Sequence, residues 1–188
     1  IVEMDLDVLL GKPPKLIKKI GLISKKPFYL ENENWCALGI IDGNEHFLDK
    51  LKEVLRYPSV SSKNFLITIG DRSVTGLIAQ DQMVGPWQVP VSNVGVTKST
   101  FDSITGEAMA IGEKAPIAMT DAAASARMAV CEAITNIAAS AIEDISLIKL
   151  SANWMAASGS NYEDSELFKA VKAIGMQLCP DLGISIPV

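Results

Sequence analysis

Histidine is almost missing from this sequence. The 188 residues hold one, His46, beside three cysteines, Cys36, Cys131 and Cys179, that lie far apart. No Cys-His spacing of the zinc type can be drawn from them. An activated cysteine needs a histidine partner, and none is paired here, so neither glutamine hydrolysis nor triad chemistry is expected of this chain. A glycine-rich phosphate loop of the Walker type is absent as well. Positive charge is in short supply: 17 Lys and Arg against 22 Asp and Glu leave a net charge of -5, which argues against nucleic acid or an anionic membrane as partner. A local basic pocket for one phosphate stays open. The opening Ile1-Val2-Glu3-Met4-Asp5 shows no initiator methionine, basic region or long apolar run, so no signal peptide or membrane span is expected and the chain reads as a piece cut from something longer. Unpaired cysteines point to a reducing, cytoplasmic setting, with Cys131 expected as a small buried thiol in an apolar helix.

The residues present suffice for a core. Apolar residues make up 48% of the chain, enough for one domain with an extra N-terminal segment. Residues 1–31 carry Gly11-Lys12-Pro13-Pro14-Lys15, Lys18-Lys19 and Lys25-Lys26-Pro27, a proline-punctuated basic stretch read as a linker or docking strap, with the domain proper spanning 32–188. From Glu45 to Tyr57, Phe47, Leu48, Leu51, Val54 and Leu55 recur at helical spacing, predicting an amphipathic helix that ends before Pro58. Phe65 to Ile69, Val74 to Ala79 and Val89 to Thr97 read as β-branched strands separated by turns, with further strands at Ile145 to Leu150 and Ile184 to Val188. Helices are expected around Glu107 to Ile111, from Asp121 to about Ile142, and from Asp164 to Leu178 with Leu167, Phe168, Val171, Ile174 and Leu178 on one stripe. These elements imply an α+β, or mixed α/β, fold class with helices packed on one face of a mixed sheet. No internal repeat or low-complexity tract appears.

The helix opened by Asp121 allows faces to be calculated, since each residue turns it by about 100°. Asp121, Ser125, Met128 and Asn136 fall within roughly 40° of Glu132, while Val130, Ile134, Ile137 and Ala141 gather within roughly 40° of the opposite direction. Glu132 and Asn136, four apart, thus offer a carboxylate and an amide oxygen side by side, the hard ligands that magnesium accepts while keeping waters and bridging to phosphate. By spacing alone such a pair is ordinarily no more than a solvated face. Asp71 and Arg72 similarly read as a local ion pair in a turn, and Trp87, beside Gly85, could pack under a ligand or into the core.

Longer motifs add to this. Gly70-Asp71-Arg72-Ser73-Val74-Thr75-Gly76, Asp81-Gln82-Met83-Val84-Gly85-Pro86-Trp87-Gln88-Val89-Pro90, Gly106-Glu107-Ala108-Met109-Ala110-Ile111-Gly112-Glu113-Lys114-Ala115-Pro116 and Ile148-Lys149-Leu150-Ser151-Ala152-Asn153-Trp154-Met155 closely resemble the large, single-chain phosphoribosylformylglycinamidine synthases of purine biosynthesis. The resemblance runs from about Asp7 to Val188. It implies the N-terminal, sheet-bearing domain of an aminoimidazole-ribonucleotide-synthetase-like half, the second half of the large enzyme. The implied parent reaction is ATP-dependent conversion of formylglycinamide ribonucleotide and glutamine to formylglycinamidine ribonucleotide. The glutaminase, the companion domain and the other synthetase half are expected elsewhere in the parent, so the isolated chain is not expected to complete that reaction.

The resemblance also implies ATP or ADP with Mg²⁺ as cofactors. Glu132 and Asn136, in Glu132-Ala133-Ile134-Thr135-Asn136, stand where the family places magnesium ligands at a nucleotide site held to be structural rather than catalytic in large members. Asn93 stands where an acidic ligand is expected, a departure that removes one negative charge. Ser92 matches a backbone contact to nucleotide, and Lys63 a basic residue near the phosphates, though a solvated lysine is an equal reading for it. Two rivals remain: another ATP-using superfamily member, such as selenophosphate synthetase or thiamine monophosphate kinase, and a non-catalytic assembly module. Since these sheet domains pair face to face in the superfamily, a homodimer through the sheet is expected.

Overall fold

The computed structural model describes residues 3–11, 17–24, 44–70 and 76–188, without the side chains of 44–46. The Asp71-Arg72 turn, the Lys-Pro stretches at 12–15 and 25–27, Cys36, the 31/32 boundary and the His46 side chain therefore lie outside the described residues. Helix α1 is Leu6–Leu10, α2 Asn44–Arg56 and α3 Asn64–Ile69. Three strands come next along the chain, β1 Ile78–Gln80, β2 Val94–Lys98 and β3 Gly106–Ala110. A 3₁₀ turn, Ala115–Met119, leads into α4, Ala122–Ile137, and another, Ile145–Leu147, precedes α5, Asn161–Ala173, which continues through a π turn, Ile174–Leu178, into α6, Cys179–Leu182. The fold is α+β.

The strands form one sheet in the order β1-β2-β3, antiparallel throughout, with Val94 opposite Ala110 and Lys98 opposite Gly106. Alternation puts Val94, Val96, Ala108 and Ala110 on the face toward α4, and Gly95, Thr97, Glu107 and Met109 on the other. Val94 is fully buried. Along the carboxyl-terminal part, Lys149 bridges Ser185 in parallel, Leu150 N–H donates to Ser185 O at 2.9 Å and Ala152 N–H to Val188 O at 2.9 Å.

Several expectations from the sequence are corrected. Phe65 to Ile69 is helix α3, not a strand: an apolar run of this length fits either period, and Thr68 Oγ1 bonds back to Asn64 O at 3.2 Å within the helical turn. Glu107 to Ala110 is strand, not helix, and Ile111 lies just beyond it. Its residues favour helix, but the tight turn at 99–105 pairs it with β2, and Gly106 packs against the Thr97 carbonyl, where a Cβ would lie 2.0 Å away. Ile145 to Leu150 begins as a 3₁₀ turn capped by Asp144, whose Oδ1 accepts from Ser146 N–H at 2.8 Å, and only its end pairs. Ile184 to Val188 contributes a single bridge residue rather than a strand. Cys131 is exposed and Cys179 is the buried thiol, its pKa pushed up by burial.

The core gathers Ile174, Cys179 and Ile184, with Ala126, Val130 and Ile134 of α4 and Ile148 and Leu150 packed on them. The predicted stripe on α5 and its continuation is met in part: Ile174 is buried and Leu178 packs on the core. Ser165, Glu166, Ala170 and Ala173 are buried, while Phe168 and Val171 are half exposed. The alanines face inward, and α5 packs against α4. The helix then widens, Cys179 N–H reaching Ile174 O five residues back, which accommodates Pro180 inside a continuous rod. Gly183, at φ 68°, closes it, with Ile184 N–H donating to Cys179 O at 3.0 Å. Residues 17–24 run beside α5: Ile23 N–H donates to Ser165 Oγ at 3.0 Å, and Lys169 Nζ to Ile23 O at 2.6 Å.

Candidate functional site

Helix α4 begins at Asp121, whose carboxylate accepts Ala124 N–H at 2.8 Å, a regular N-cap that fixes the helix register. From there the polar stripe points where its angles require, and three of its members, Ser125, Glu132 and Asn136, meet backbone. Ser125 Oγ, buried, donates to Lys114 O at 2.7 Å; Glu132 Oε2 accepts Glu113 N–H at 2.9 Å; Asn136 Nδ2 donates to Ile111 O at 3.0 Å. Segment 111–114 is thus laid along the helix. Gly112 permits it, because any Cβ there would fall 1.9 Å from Ala129 O.

Lys114 adds a charge to this clasp. Its Nζ lies 2.8 Å from Glu132 Oε2, with both side chains about one third exposed, at 35% and 32%. The Lys114 hydrogen bond, then the Glu113 N–H, hold the Glu132 carboxyl below its ordinary pKa. Both bonds end on Oε2.

Between α4, the sheet and the 148–154 segment opens a cavity of about 1130 Å³. Ser92, Asn93, Glu132 and Asn136 all line it, with Ala110, Ile111 and Gly112 on the same side and Ser151, Asn153 and Trp154 beyond. Asn93 Nδ2 donates to Asn136 Oδ1 at 3.5 Å, so β2 and α4 bring their amides together. Ser92 is fixed by its N–H to Gln82 O at 2.7 Å and by its hydroxyl to the Val94 backbone. Lys63 is not among the lining residues; its ammonium bonds the Pro58 and Ser61 carbonyls before α3. Trp87, 85% exposed at the tip of the 85–88 turn, packs neither in the core nor in this cavity.

A family model described as the FGAR-AT PurM_N-like domain matches residues 62–188, more than half of the chain. The chain belongs to that family. It is an FGAR-AT domain of the type found in purine biosynthesis, and the four cavity residues fall inside the matched span. Asn64, just within it, ties α3 to the 85–90 loop through Nδ2 to Val89 O at 3.4 Å. In this FGAR-AT PurM_N-like domain, the site members that the sequence did not reveal are Lys114 and the backbone groups of Ile111 and Glu113. Their one signal was the glycine in Ile111-Gly112-Glu113, which marks a close backbone approach. Among the described residues no three His, Cys, Asp or Glu side chains cluster as a metal cage, and no helix is long and apolar enough to cross a membrane.

Proposed function

We propose that this domain binds a magnesium nucleotide, ATP or ADP, in the cavity between α4 and β2, as part of the amidotransferase that converts formylglycinamide ribonucleotide and glutamine to formylglycinamidine ribonucleotide. The observation that carries the reading is the convergence of Asn93, Glu132 and Asn136 on one cavity wall with Ser92 beside them. The donor set fits magnesium in kind: one carboxylate and two amide oxygens are hard ligands, too few to cage the ion and suited to one that keeps waters and phosphate oxygens. A flip of the Asn93 amide would turn its oxygen, in place of its nitrogen, toward Asn136. Glu132 Oε1, free of the two bonds made by Oε2, is the carboxylate oxygen assigned to the metal. When bound, magnesium offsets charge on the phosphates. Ser92 is assigned to nucleotide contact, and Lys63 to the phosphates through the resemblance alone.

The parent is read as a carbon-nitrogen ligase using glutamine, with ammonia production outside this chain because its one histidine has no assigned cysteine. The setting is read as cytoplasmic, on the strength of the free thiols of Cys131 and Cys179. Calorimetry of the chain with MgADP tests the site. Binding weaker than micromolar is expected, since Asn93 brings no charge, and it should vanish in Glu132→Ala and Asn136→Ala. Binding that survives both substitutions would overturn the assignment, and absence of any nucleotide binding would favour the assembly-module reading.

A further inference from the structure

Of the three candidate metal ligands Glu132 alone is charged, and it already has a cation. Lys114 reaches it at 2.8 Å, and the reach is not left to a flexible side chain alone. The lysine's own carbonyl accepts the buried Ser125 hydroxyl at 2.7 Å, and Glu113 N–H meets the same carboxylate oxygen at 2.9 Å. Gly112 presses this backbone onto α4. Two turns of one helix therefore fix where the lysine starts and where its charge ends.

We infer that Lys114 is the resident counter-cation of the site and competes with a divalent ion for Glu132. This rests on the magnesium reading of the same cavity. One carboxylate and two neutral amides cannot neutralise both an ammonium and a divalent cation, so like-charge repulsion sets one against the other. Metal binding at Oε1 withdraws charge from Oε2 and weakens its hold on Lys114. The Ser125 bond to the Lys114 carbonyl keeps the base of this side chain fixed, so the ammonium stays within reach of Glu132. Lys114 thereby weakens binding of the bare ion and makes the site respond to metal that arrives with nucleotide. Its role is specificity, not catalysis.

The test is titration of the full chain with Mn²⁺ alone, read by electron paramagnetic resonance of the free ion. Lys114→Met keeps the aliphatic stem and removes the charge. An exposed ion pair of this kind corresponds to about threefold to fivefold in affinity, so K114M should bind Mn²⁺ tighter by about that factor, while K114R stays near wild type. A second neutral variant, K114Q, repeats the measurement should the methionine disturb folding as judged by circular dichroism. Equal or weaker Mn²⁺ binding in the neutral variants, with wild type still binding, would overturn the role of Lys114 and leave the magnesium site standing. No Mn²⁺ binding by wild type or any variant would overturn both.

Discussion

A methyl group added at Gly112 would sit 1.9 Å from the Ala129 carbonyl oxygen and 2.6 Å from the Ala133 nitrogen. Both atoms belong to the backbone of α4, which cannot move aside without breaking its own hydrogen bonds. Segment 111–114 would have to lift instead, and with it would go the Glu113 N–H bond to Glu132 and the Asn136 bond to Ile111. Gly112→Ala is therefore expected to cost about 2–3 kcal/mol, read as a lowered urea midpoint with an unchanged slope. The same variant should lose MgADP binding, because the carboxylate and amide are no longer held. Full stability in Gly112→Ala would show that the segment does not rest on the helix. At this scale the sequence was partly legible. Glu132 and Asn136 could be placed by angle, since α4 is regular and capped at Asp121. Lys114 could not, because a lysine preceding Ala-Pro reads as solvated until a separate helix supplies its partner.

Among the elements, α5 shows how burial departs from hydrophobicity. Sequence periodicity puts Phe168 and Val171 inside, yet Ala170 and Ala173 are the residues that are buried, and Phe168 is 44% exposed. Close helix packing rewards small side chains on the contact line, and a stripe chosen by size misses it. Ala170→Leu is accordingly expected to destabilise by about 1–3 kcal/mol through overpacking, whereas Phe168→Ala should change stability by less than about 1 kcal/mol. Denaturant melts of the two variants decide the matter, and a reversed order would mean that the helix is rotated. The same competition explains the strands. Helix α2 was readable because five apolar residues recur over thirteen positions. Short apolar runs such as Phe65 to Ile69 carry no such period, and β3 is strand only because the 99–105 turn hands it a partner. Local preference settles long elements, and tertiary pairing settles short ones.

For the molecule as a whole, α4 packs against β3, and Gly95, Glu107 and Met109 on the opposite side of the sheet are exposed. That outer face is small and mixed: Gly95 opposite Met109, and Thr97 opposite Glu107. Met109 is 64% exposed, and Ile104, in the turn between β2 and β3, is fully so. We propose that a second copy of the chain covers this face, the two sheets meeting across a two-fold axis with Gly95 leaving room for the partner's methionine. A self-complementary contact of this kind needs no further component, and glycine opposite methionine is a knob beside a hole on the same patch. Light scattering at micromolar concentration is expected to give twice the chain mass. Met109→Glu sets a second carboxylate near Glu107 and, across a two-fold axis, opposite its own copy, so the variant should shift to the monomer while keeping its circular dichroism spectrum. A wild-type chain that stays monomeric at these concentrations would refute the pairing, and a Met109→Glu dimer would place the contact on another surface.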